Sequence, residues 1–117
     1  EVYDPNTQQW TLLNDMTTPR EYCTAVSLEG RIVVTGGLDV DGFLSLCEVY
    51  DPKTKKWSHM ASMNSERVGC AAVEVEGDIY VLGGHDERRQ YLSSMEYLPL
   101  SAFFVFLLDD KPDLAKE

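Results

Sequence analysis

Two arginines, Arg20 and Arg67, stand 47 residues apart, each four positions after a methionine, Met16 and Met63. A guanidinium group is a planar fork of donors that grips a carboxylate through paired hydrogen bonds, so both are candidates for acidic-side-chain recognition. Leu38-Asp39 and His85-Asp86, each directly after a glycine pair, are further candidates to meet a ligand. Catalysis finds little support. His59 and His85 are isolated, no Ser or Cys has a nucleophile context, and no phosphate-cradling glycine loop or HExxH pair occurs. Asp39-Val40-Asp41-Gly42 has the outline of a calcium loop, but the bidentate glutamate such a loop needs downstream is missing, and the matching stretch reads Asp86-Glu87-Arg88-Arg89. No metal or cofactor is expected. None of the three cysteines forms a CxxC pair, and Cys23 and Cys70 read as small buried hydrophobes on inner strands.

These candidates repeat because a whole block repeats. At a constant offset of 47, Tyr3-Asp4-Pro5 pairs with Tyr50-Asp51-Pro52, Trp10 with Trp57, Cys23 with Cys70, and Gly36-Gly37 with Gly83-Gly84. A period near 50 residues, with an apolar run leading into paired glycines and a lone tryptophan after a turn, is the signature of a propeller blade.

Each copy parses into four short strands by alternation, β-branched content and turn residues. Cys23 to Leu28 alternates and ends at Glu29-Gly30, a tight hairpin signal, after which Ile32-Val33-Val34 runs into the glycines. The run is apolar on both faces, as in a strand buried between neighbouring sheets. Leu44 to Tyr50 makes the third strand, Asp51-Pro52 a turn, and Trp57 opens the fourth. The fold class is therefore all-β, with blades of four antiparallel strands forming an incomplete propeller. Residues 1–16 read as the outer half of one blade, 17–63 as a complete blade, 64–100 as a partial blade and 101–117 as a non-repeat tail. In that tail Phe103 to Leu108 could supply a makeshift outer strand. Tyr3, Trp10, Tyr50 and Trp57 are expected to pack blade on blade, and the two glycine pairs to allow a turn or close approach. Fewer than three repeats rarely bury enough surface alone, so these blades read as part of a longer chain or as completed by other copies.

A formal charge of −10, from 20 acidic and 10 basic residues, disfavours a nucleic-acid partner and favours a basic or neutral protein. No Asn-x-Ser/Thr acceptor and no secretory leader pattern occurs, which points to a cytoplasmic address. The most apolar stretch, Leu98 to Leu108, holds about half the ~20 residues a membrane helix requires.

The constellation of Gly-Gly, then Glu48-Val49-Tyr50-Asp51-Pro52, then Trp57, Met63 and Arg67, resembles the kelch repeat, and within it the kelch-like subfamily, over residues 1 to about 97. The resemblance implies a propeller whose edge loops bind proteins, as the substrate receptor of a cullin-type ubiquitin ligase with BTB and BACK domains ahead of it. Antiparallel strands place Arg20, Glu21, Leu38, Asp39, Arg67, His85 and Asp86 on one rim. In the kelch-like family that rim contacts acidic peptide motifs, partly through an arginine four residues after the Met. Two roles stay open for Arg20 and Arg67: partner contact, or a scaffold role shared by every repeat. Rival readings are an actin-binding cytoskeletal kelch protein, an oxidase fragment, for which two histidines are too few, and a truncated propeller with no activity of its own.

Overall fold

A computed structural model describes residues 1–99, and every regular element in that span is a strand. The expectation for Phe103 to Leu108 lies outside the described residues. No helix among them is long and apolar enough to cross a membrane.

The strands fall into antiparallel sheets in chain order. β1 (Val2–Asp4) pairs with β2 (Gln9–Thr11). β3 (Thr24–Leu28), β4 (Arg31–Thr35), β7 (Cys47–Asp51) and β8 (Lys56–Met60) form a four-stranded sheet in that order. β9 (Ala71–Val75), β10 (Asp78–Leu82) and β11 (Met95–Leu98) repeat its first three positions. In the loop between β4 and β7, β5 (Leu38–Asp39) and β6 (Gly42–Phe43) add a small hairpin that the alternation pattern did not disclose.

Local chemistry explains the turns. Glu29 and Gly30 both have positive φ, 50° and 75°, the left-handed pair that matches the twist of a two-residue hairpin. At the outer hairpins Asp4 and Asp51 accept the amides of Asn6 and Lys53 on their carboxylates, both at 2.8 Å. Their carbonyls accept Gln8 and Lys55, both at 2.7 Å.

Register decides which side chains meet. Val33 pairs with Val49, and Thr35 with Cys47, which pairs in turn with Met60. That face of the four-stranded sheet joins Ile79 and Val81 of β10 in one buried cluster, so the core lies between the two larger sheets. The opposite face carries Ile32, Val34, Glu48, Tyr50 and Trp57, against which the segment Leu12 to Met16 is laid. Cys47 and Cys70 are pushed up by burial, so both thiols stay protonated at neutral pH. Cys23 and Cys70 sit one residue ahead of β3 and β9 rather than on them, and both are half-buried.

The aromatic pairs report how the sheets are covered. Tyr50 and Trp57 lie 5.1 Å apart; Tyr50 is buried, and the Trp57 indole donates to the Asn14 carbonyl at 2.8 Å. Tyr3 and Trp10 keep nearly the same geometry, 5.3 Å, yet both are exposed, Trp10 at 65%. Among the described residues β1 and β2 form a two-stranded sheet of their own, and this first pair lies on its exposed surface.

The second repeat carries one extra residue before its third strand. Ile32 pairs with Tyr50, whereas Ile79 pairs with Leu98, so Leu98 occupies the position of Tyr50 and Tyr97 that of Val49. The stacked Tyr80–Tyr97 pair, 5.7 Å apart, lies on the far face of the last sheet, where Tyr97 is exposed.

Candidate functional site

The β4–β7 loop and the β8–β9 connection reach the same edge of the molecule, and backbone hydrogen bonds tie them together. Glu21 and Leu38 exchange bonds at 3.0 Å, Val68 and His85 do the same, and Gly37 donates to the Arg67 carbonyl at 2.8 Å. Gly69 then donates to Tyr22 at 3.0 Å, so the second and third sheets are stitched along this edge.

Arg20 and Arg67 are at this edge but point inward. Both guanidinium side chains are 0% exposed. Arg20 donates to the carbonyls of Gly36 at 3.0 Å and Leu46 at 2.9 Å, and pairs with the Glu48 carboxylate at 2.6 Å. Glu48 also accepts the Thr17 amide at 2.8 Å. One repeat on, Arg67 donates to the Gly83 and Ser94 carbonyls, both at 3.0 Å, and pairs with Glu96 at 3.0 Å. A partner contact through either guanidinium would first require opening this network, and the contacts are those of the scaffold alternative.

The two networks differ in one respect. Arg67 places a terminal nitrogen on the Ser94 hydroxyl at 2.8 Å, which turns its Nε toward Glu96. Leu46 stands where Ser94 stands and offers no hydroxyl. Arg20 therefore turns its terminal nitrogen to Glu48, and its buried Nε has no hydrogen-bond acceptor among the described residues.

Burial alone would push Glu48 up, but hydrogen bonds from Thr17 and the Arg20 guanidinium outweigh it and hold the carboxyl below its ordinary value of 4.5. A depressed folded-state value stabilises the fold above the unfolded value and loses that contribution as pH falls through the folded one. Stability is thus expected to decline on acidification below about 4.5, and more steeply than in Glu48→Gln. Thermal melts of both proteins across that window check this; parallel profiles would contradict it.

The remaining candidates divide by exposure. Asp39 accepts the amides of Asp41 and Gly42 on its carboxylate, and Asp86 those of Arg88 and Gln90, so both shape their loops. Leu38, Asp39, His85 and Asp86 are half-buried, and Glu21 is exposed. Residues the motif reading passed over complete the surface: Tyr22, Val40 and Tyr91 are among the most exposed large hydrophobics. Phe43 meets His85 edge-on at 5.7 Å, and His85 meets Tyr91 at 6.4 Å. Gly69 stands in the place of Tyr22 at the 47-residue offset, whereas Tyr91 takes the place of Phe43 across the lengthened loop, pairing with His85 as Phe43 pairs with Leu38. A comparison for identical residues singles out neither.

The sequence matches the model of the Kelch motif over residues 19–64 and 66–98. It is 43% identical over 47 residues to Kelch-like protein 41b of Danio rerio, a stretch covering 40% of this chain and 8% of that protein. Kelch-like protein 41a of the same organism matches with the same identity and coverage. An F-box/kelch-repeat protein of Arabidopsis thaliana is 43% identical over 42 residues, 36% of this chain and 10% of that protein. The chain thus spans only a small part of the curated relatives it matches.

Proposed function

We propose, on the premise that this chain belongs to the kelch-repeat family, that its blades form the substrate-receptor region of a kelch-like adaptor for a cullin-type ubiquitin ligase. Kelch repeats indicate a protein-interaction module. The observation that carries the reading is the edge itself. Backbone bonds tie the β4–β7 loop and the β8–β9 connection to the stretch before β3 and to the β10–β11 loop there, and Val40, Tyr22 and Tyr91 on these segments are exposed while the arginines are buried. Exposed aromatic and apolar groups on a rigid frame are the composition of binding hot spots. In this reading Glu21, Leu38, Asp39, His85 and Asp86 border the contact, and binding is the whole of the mechanism. The kelch-like names of two relatives support the ligase-adaptor assignment, and recruitment of a cullin belongs to BTB and BACK domains of a longer protein.

Affinity purification of the complete gene product tests this. Cullin is expected to co-purify with the wild type and with Tyr91→Ala alike, whereas ubiquitinated partner protein is diminished with Tyr91→Ala. Co-sedimentation with actin filaments in the absence of any cullin would sink the proposal in favour of a cytoskeletal role.

A further inference from the structure

We infer that the edge takes a basic peptide segment, seating a lysine or arginine side chain against the aromatic group of Phe43, His85 and Tyr91; this rests on the reading of the edge as a partner-binding surface. The usual source of positive charge on such an edge is withdrawn here. Arg20 and Arg67 spend their donors on Glu48, Glu96 and backbone carbonyls, with side chains 0% exposed. What remains is acidic: Glu21, Asp41 and Glu87 are exposed, with Asp39 and Asp86 half-buried beside them, against the exposed pair Arg88 and Arg89. An acidic peptide would meet that surplus of carboxylates, whereas a basic one is drawn to it, and the chain's net charge of −10 steers approach in the same sense.

The aromatic group gives the cation a place to sit. Tyr91 is 92% exposed and stands 6.4 Å from His85, which is edge-on to Phe43. A tyrosine face attracts an ammonium or guanidinium within about 6 Å of its centre. Beside it, Leu38 pairs with Phe43 across the β5–β6 hairpin. Leu38 also lines a shallow depression of about 380 Å³ together with Pro19, Arg20, Glu21, Asp39 and Val40. Pro19, Leu38 and Val40 suit the methylene stem that lysine and arginine carry, and the Glu21 and Asp39 carboxylates its charged end.

Two fluorescent nine-residue peptides, identical except for three positions occupied by arginine in one and glutamate in the other, test this on the full chain. Anisotropy at low and high salt gives affinity, and amide shifts give location. The basic peptide is expected to bind about tenfold or more tighter at low salt, with shifts at His85 and Tyr91. Tyr91→Ala should weaken it roughly three- to tenfold, and Glu21→Gln with Asp41→Asn should flatten its salt dependence. Basic-peptide affinity unaltered by Tyr91→Ala overturns the proposed seat. Equal or tighter binding of the acidic peptide at the same residues overturns the inference but leaves the edge standing as a binding surface. If neither peptide shifts any edge residue, both this inference and the edge reading fail.

Discussion

Replacing Arg20 by Met is expected to destabilise the fold by about 3–5 kcal/mol, lowering the melting temperature by roughly 10 °C or more. The reason is what the substitution leaves behind. Glu48 is fully buried and would keep its charge with only Thr17 for company, while the carbonyls of Gly36 and Leu46 would lose their shared donor. Removing one partner of a buried ion pair costs far more than removing both. The double variant Arg20→Met with Glu48→Met is therefore expected to recover most of the loss, because apolar side chains of similar volume often replace a buried pair at little net cost. Thermal and urea unfolding of the three proteins measure this. A single variant within about 1 kcal/mol of the wild type would mean that the network is not closed in solution, and Arg20 would return as a candidate for partner contact.

Much of this molecule was legible in the repeat. The all-β class, the hairpins at Glu29-Gly30 and Asp51-Pro52, and the pairing of apolar runs follow from patterns a strand imposes on its sequence. Exposure was not legible in the same way. Arg20 and Arg67 recur, but recurrence marks a residue needed by every blade, and whether it faces solvent depends on an acceptor 28 or 29 positions away, Glu48 or Glu96. The one-residue lengthening of the second loop was legible, because Leu44-Ser45 through Glu48 matches Leu92-Ser93 through Glu96 at an offset of 48, and it is this shift that makes Glu96 the second acceptor. Conversely, Tyr22 breaks the repeat and Tyr91 matches Phe43 only across the lengthened loop, so identity between the copies drew attention to neither, although both are exposed at this edge. Tyr3 and Trp10 show a third limit. Their local geometry is that of Tyr50 and Trp57, but burial belongs to the neighbouring sheet and not to the pair.

The same dependence on a neighbour gives the last expectation, in which two glycines the repeat treats as equivalent part company. Gly36 and Gly83 have φ of 69° and 68°, so alanine at either meets the same backbone penalty, about 1–2 kcal/mol for a left-handed residue. Their surroundings differ. A Cβ on Gly36 would lie 2.5 Å from the Arg67 carbonyl oxygen of the next repeat, closer than real Cβ atoms come, and that oxygen is held in place by Gly37. A Cβ on Gly83 would have its nearest neighbour, the Leu92 carbonyl oxygen, at 3.5 Å, ordinary contact. Relief at Gly36 requires the second and third sheets to separate, which loosens the Val33–Ile79 core between them. Gly36→Ala is therefore expected to cost roughly 3 kcal/mol or more, from strain and lost packing together, and Gly83→Ala no more than about 2. Parallel urea titrations of the two variants decide it. Equal losses would show that backbone conformation alone fixes the glycine pair; a much larger loss at Gly36 would show that close approach between blades fixes it too, and that the pair is written into each repeat for the sake of the repeat beside it.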